Sequence, residues 1–208
     1  MISPMDDLNR ALDQIGSIRR QVARSTEFRG YGPATLAATG VFAIAAAALQ
    51  ARWLPGAAHR IPAYLGIWLT TAVVSAGLIG AHTFMRARRV HSGMADEMLR
   101  IAVEQFLPSA AAGALITFVL VRYAPAALWM LPGLWQVTFS LGVFSSCRFL
   151  PRPMAAAGMW YLLTGLFCLS LADARAFSPW AMGIPYGAGQ LLVAGILLLN
   201  KREAGDER

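Results

Sequence analysis

Charge is what this sequence has least of. Only 14% of its 208 residues are Asp, Glu, Lys or Arg, where soluble globular proteins carry about a quarter. Hydrophobic residues make up 57% and the mean hydropathy is +0.51, which sets a water-soluble fold aside. Cysteine is limited to Cys147 and Cys168, each inside or beside an apolar run and without CxxC or other ligand spacing; both read as small core residues. The three histidines, His59, His82 and His91, are scattered and form no metal or haem set with those cysteines. No Ser/His/Asp grouping, HExxH or P-loop occurs. No cofactor or metal is therefore expected, and a non-enzyme is favoured over an enzyme. Residues 1–32 are polar and charged, so no cleaved secretory signal is expected. Strand-type alternation is missing as well, which excludes a membrane barrel.

What is present is a series of six apolar stretches: Pro33 to Gln50, Pro62 to Phe84, Glu104 to Val121, Ala126 to Cys147, Pro153 to Ala172 and Pro179 to Asn200. Each is near the ~20 residues that cross ~30 Å of hydrocarbon at about 1.5 Å per residue. The expected fold class is an all-α integral membrane protein with six transmembrane helices and an N-terminal amphipathic helix at the cytoplasmic face. Residues 1–32 form the helix and lead-in, 33–200 the bundle, and 201–208 a charged cytoplasmic tail. So little chain remains outside the bilayer that no soluble catalytic domain fits.

The net charge of +7 and the pI near 10.2 would point to nucleic acid in a soluble chain. Here the basic residues fall between the apolar runs, the pattern of membrane orientation and contact with anionic headgroups, so the bilayer is the expected partner and nucleic acid is not. Five Lys and Arg precede the first stretch, four (Arg86, Arg88, Arg89, Arg100) lie between the second and third, two (Arg148, Arg152) between the fourth and fifth, and three in the tail. The opposite flanks hold only Arg52, Arg60, Arg122 and Arg175. By the positive-inside rule both termini face the cytoplasm.

Residues 3–25 carry the largest element outside the spans. Ser3, Pro4 and Asp6 resemble an N-cap, a first-turn proline and an acidic third position. Leu8, Leu12, Ile15, Ile18 and Val22 then recur at helical spacing, opposite Arg10, Asp13, Arg19, Arg20 and Arg24. Such a helix either lies on the membrane surface with its arginines at the headgroups or docks a partner or its own copy. In the docking reading, Leu8, Leu12, Ile15, Ile18, Val22, Arg19 and Arg20 make the contact.

Within the spans no ionisable residue falls near the middle, which weighs against ion pumping, proton relay and voltage sensing. Glu104 comes nearest, because the 17 residues between it and Arg122 span only about 26 Å of helix. It reads as an interfacial carboxylate paired with Arg86, Arg88 or Arg100, or as a ligand contact. Counting from the prolines that begin the spans (Pro62, Pro125, Pro153, Pro179) places Thr71, Gln136, Thr164 and Gln190 at one depth near the midplane. Interhelical hydrogen bonding is the ordinary use of such residues.

A ligand reading rests on the neighbours of the two glutamines. Pro132-Gly133-Leu134-Trp135-Gln136 and Pro185-Tyr186-Gly187-Ala188-Gly189-Gln190 combine a helix-interrupting proline with glycines and an aromatic. Helices broken there would line a pocket for a small uncharged or amphipathic ligand, with Trp135, Tyr186, Gln136 and Gln190 facing it. The small-residue pairs Ser109–Gly113, Ala76–Gly80, Gly77–Ala81 and Gly183–Gly187 predict close helix packing and a possible homo-oligomer.

The segments Ile18-Arg19-Arg20, Arg24-Ser25-Thr26-Glu27-Phe28, Leu131-Pro132-Gly133-Leu134-Trp135 and Gly187-Ala188-Gly189-Gln190 resemble a group of six-span bacterial inner-membrane proteins that carry a short charged helix ahead of the first span. The similarity runs over most of the chain. It implies an inner-membrane location and a winged-helix type cytoplasmic regulator as partner, and it carries no catalytic residues. The expected function is a non-enzymatic sensor or coupling module acting through the N-terminal helix. The competing expectation is a small transporter or channel subunit with a midplane site between the fourth and sixth spans.

Overall fold

The computed structural model describes residues 32–56, 60–89, 94–147 and 153–206; the expected docking helix, with Leu8, Leu12, Ile15, Ile18, Arg19, Arg20 and Val22, lies outside them. Among the described residues every element is helical: α1 (Pro33–Trp53), α2 (Ile61–Arg89), α3 (Met94–Tyr123), a 3-10 turn (Pro125–Met130), α4 (Leu131–Ser146), α5 (Met154–Ser170), a second 3-10 turn (Ala174–Phe177) and α6 (Pro179–Asp206). Five helical segments are long and apolar enough to cross a membrane, and α5 is a shorter apolar helix of 17 residues.

The helices form an antiparallel bundle whose order around the ring follows the chain, with α6 returning against α1. Opposed side chains give the register. Gly40 meets Gly187 while Ala47 meets Gly183, and Gly133 meets Gly165 while Phe144 meets Gly158. The tightest pairs are α1 with α6 and α4 with α5, and both are made by glycine. A Cβ on Gly165 would lie 2.9 Å from the Gly133 carbonyl oxygen, and one on Gly40 would lie 3.0 Å from that of Gly187. Backbones this close gain dispersion contacts that bulkier residues would forbid.

Two of the four predicted small-residue pairs work in this way. Gly183–Gly187 packs on α1, and Ser109–Gly113 faces Gly142 and Thr138 of α4. The glycines of the other two, Gly77 and Gly80, have nothing within 4 Å of where a Cβ would stand, and neither has Gly66. These α2 glycines sit on the face opposite Tyr64, Trp68, Thr71 and His82, the face turned away from the bundle.

Burial is uneven. One end of the bundle holds the apolar cluster of Ala46, Ala47, Leu54, Tyr64, Trp68, Phe177 and Met182. Elsewhere the periphery is apolar and uncovered, including Val41, Val73, Leu107, Leu115, Phe118, Leu163, Phe167 and Leu199. In water an apolar surface this extensive would drive aggregation, whereas lipid is its natural solvent. At the end where α1 and α3 finish, the Arg52 guanidinium lies 5.9 Å from the Trp53 ring centre and that of Arg122 lies 5.4 Å from Tyr123. With exposed Trp180 at the start of α6, these make the aromatic and arginine rim that anchors helices at an interface.

Several boundaries differ from those expected. The proline expected to interrupt the fourth span does not. Pro132 occupies the first turn of α4, after the 3-10 turn, because that turn has no intrahelical use for the missing N–H. Helix α6 continues unbroken through Pro185 to Asp206, so residues 201–206 extend the last helix. Helix α3 begins at Met94, ten residues before Glu104, and α5 stops at Ser170, two residues before Ala172 turns the chain with a φ of 54°.

Candidate functional site

Proline at position 185 removes the N–H that would bond the Ala181 carbonyl four residues back. In lipid that carbonyl needs another donor. Gln136, fully buried on α4, supplies it: its Nε2 donates to the Ala181 oxygen at 2.9 Å, with the Met182 sulfur at 3.9 Å. From α5, the Trp160 indole N–H donates to the Pro185 carbonyl at 2.9 Å. Two neighbouring helices thus bracket the proline turn, which is why α6 stays continuous where a break was expected.

Below this turn the centre of the bundle is aromatic. Phe139 meets Tyr161 edge-on with ring centres 4.7 Å apart and Tyr186 at 5.4 Å, and Tyr161 lies 5.3 Å from Tyr186. Such tilted and edge-to-face contacts are the preferred aromatic geometries. The Tyr161 hydroxyl rests against Gly189, where any side chain would displace it.

The residues expected to line one site are distributed as follows. Tyr186 joins the aromatic centre, and Gln136 reaches α6 at Ala181. Gln190 lies nine residues further along, about 13 Å of helix, with its Cβ against Gly40 of α1. The two glutamines are not bonded to each other; the Oε1 of each is buried without a hydrogen-bond partner among the described residues, as is the Tyr161 hydroxyl. Trp135 turns away from them. Its ring stacks on Tyr64 at 6.3 Å, and its N–H donates to the Thr117 hydroxyl at 2.8 Å. Thr71 and Thr164 donate to carbonyls of their own helices, Ile67 and Trp160, at 2.8 and 2.9 Å. Glu104 is exposed on α3. No group of three His, Cys, Asp or Glu able to hold a metal occurs among the described residues.

The sequence reading missed Gln50. Fully buried at the end of α1, it donates from Nε2 to the Phe177 carbonyl at 2.8 Å and accepts the Trp68 indole N–H at 2.7 Å. It thereby ties α1 and α2 to the 3-10 turn that leads into α6. A polar residue at the end of an apolar run ordinarily reads as solvent-facing. The available signal was the aromatic content of Trp68 and Phe177 at the same end.

Comparison of the chain with models of protein families, with curated proteins and with solved structures found no match.

Proposed function

We propose that the chain is a six-span protein of the bacterial inner membrane with both termini in the cytoplasm, working as a non-enzymatic coupling module. The helix of residues 3–25 is the output: Leu8, Leu12, Ile15, Ile18 and Val22 form the stripe that docks a cytoplasmic regulatory protein, with Arg19 and Arg20 beside it. The observation that carries this reading is the bundle centre. Where a transport path would run, Phe139 packs edge to face on Tyr161 and Tyr186, which are themselves tilted against each other, and the amide of Gln136 is committed to a backbone carbonyl. The uncovered small-residue face of α2 supports self-association within the membrane.

A second reading, a small transporter or channel subunit with a site between α4 and α6, draws on the buried and unpartnered Oε1 atoms of Gln136 and Gln190. One complementation experiment separates the two. In a strain lacking the gene, the chain with residues 1–25 deleted is expected to fold, melting in detergent within a few degrees of the parent, yet fail to complement. Gln190→Leu is expected to complement fully, since polar bonding between membrane helices is worth only ~1 kcal/mol or less. A melting loss above about 10 °C in the deletion, several kcal/mol by the usual scaling, would make the helix structural. Folded but inactive Gln190→Leu would favour transport.

A further inference from the structure

The turn around Pro185 has a property that neither reading above uses. Within the seven residues Gly183–Gly189 stand one proline and three glycines, the residue types least able to hold a helix by themselves. On either side of this stretch α6 is anchored differently. Its first turns belong to the packed end of the bundle, where Met182 sits with Phe177, Leu54, Tyr64 and Trp68. From Tyr186 to Asp206 it is a continuous helix of about 31 Å. Against α1 the stretch meets Gly40, Ala43, Ala47 and the end of the Ile44 side chain, which lies over Gly187; these contacts are apolar and leave the carbonyl freed by Pro185 without a donor. Tyr186 and Gly189 also pack in the aromatic centre, and the polar anchors of the turn are the Gln136 amide on the Ala181 carbonyl and the Trp160 indole on the Pro185 carbonyl, each at 2.9 Å.

We infer that Pro185 is a latched hinge in α6, with Gln136 and Trp160 as its latches, through which the cytoplasmic three-quarters of the helix changes angle against the packed end. Hinges concentrate a backbone change in a few residues, with the segments on either side moving as units. The Ala181 carbonyl is bound by a side chain of another helix in place of the N–H that Pro185 lacks. Separating Gln136 from it breaks no backbone hydrogen bond, so the packed end and the long cytoplasmic arm keep their own ladders while the angle between them alters. This device does not depend on which partner residues 3–25 engage.

Amide hydrogen exchange on the full-length protein in lipid nanodiscs tests it. Gln136→Leu is expected to raise exchange in peptides covering residues 181–190 by tenfold or more, with peptides around Gly158 and Gly165 at the parental rate. Pro185→Ala restores the N–H that the Ala181 carbonyl lacks, so exchange should fall there, and adding Gln136→Leu in that background should change nothing. Unchanged exchange in Gln136→Leu, an equal rise across the bundle, or the same rise in the Pro185→Ala background would each overturn the hinge. Should Gln136→Leu fail to accumulate, Trp160→Phe removes the other latch while keeping an aromatic ring. A rise confined to 181–190 is again the expected result, and no rise the contrary one.

Discussion

Gly133→Val is expected to be one of the two most damaging single substitutions in the bundle. A Cβ at position 133 would stand 2.6 Å from Leu169 Cγ and 2.8 Å from the Gly165 carbonyl oxygen. The leucine can turn aside, but the carbonyl belongs to α5 and moves only if the whole helix moves. Overpacking of a close-fitting core typically costs about 1–3 kcal/mol, and separating two helices along their tightest seam belongs at or above that limit. For a chain of this size, about 3 kcal/mol corresponds to a fall of roughly 6–12 °C in melting temperature. Gly195→Val is the internal control. Nothing lies within 4 Å of that position, so its thermal melt in detergent should match the parent.

Gln50→Leu is expected to have an effect of the same order. The substitution keeps the side chain's volume but leaves the Trp68 indole N–H and the Phe177 carbonyl without their partner. Each buried polar group stranded in this way costs about 1–3 kcal/mol, so the pair should cost roughly 2–6 kcal/mol. Thr71→Val should cost far less, since that hydroxyl donates only to a carbonyl of its own helix. Thermal melts of the two variants side by side measure the difference. Equal melting temperatures would mean that Gln50 contributes nothing beyond its volume.

Fold class was legible because composition and the spacing of apolar runs respond to the solvent, and lipid leaves a strong signature. Helix ends were less legible. Pro132 and Pro185 look alike in sequence, each followed within a few residues by glycine, an aromatic and a glutamine. One begins a helix and the other sits inside one. The difference lies in a donor from another part of the chain: Gln136 reaches the carbonyl that Pro185 frees, and no local pattern reports that.

The same limit applies to the small-residue pairs. Gly183–Gly187 and Gly77–Ala81 have identical spacing, yet only the first faces a neighbour, because spacing defines a face of one helix and not what stands opposite it. Depth counting gave Thr71, Gln136, Thr164 and Gln190 a common level, but the fourth helix begins only at Leu131, after the 3-10 turn, so Gln136 meets α6 at Ala181, nine residues before Gln190. Their bonding is set by direction around each helix, which sends Gln136 to Ala181, Gln190 towards Gly40 and the two threonines back to their own backbones. Gln50 was illegible for a related reason, since both its partners come from other elements.

The central claim, a multi-pass membrane protein with both termini in the cytoplasm, rests on the four basic residues of one set of flanks against the fourteen of the other. Cysteine-accessibility labelling tests it most directly. In a chain with Cys147 and Cys168 replaced by alanine, single cysteines are introduced as Ala58→Cys, between α1 and α2, and Ser92→Cys, between α2 and α3. The account predicts that Ala58→Cys reacts with a membrane-impermeant thiol reagent in intact cells, and that Ser92→Cys reacts only after permeabilisation. Labelling of Ser92→Cys in intact cells with Ala58→Cys shielded would contradict it.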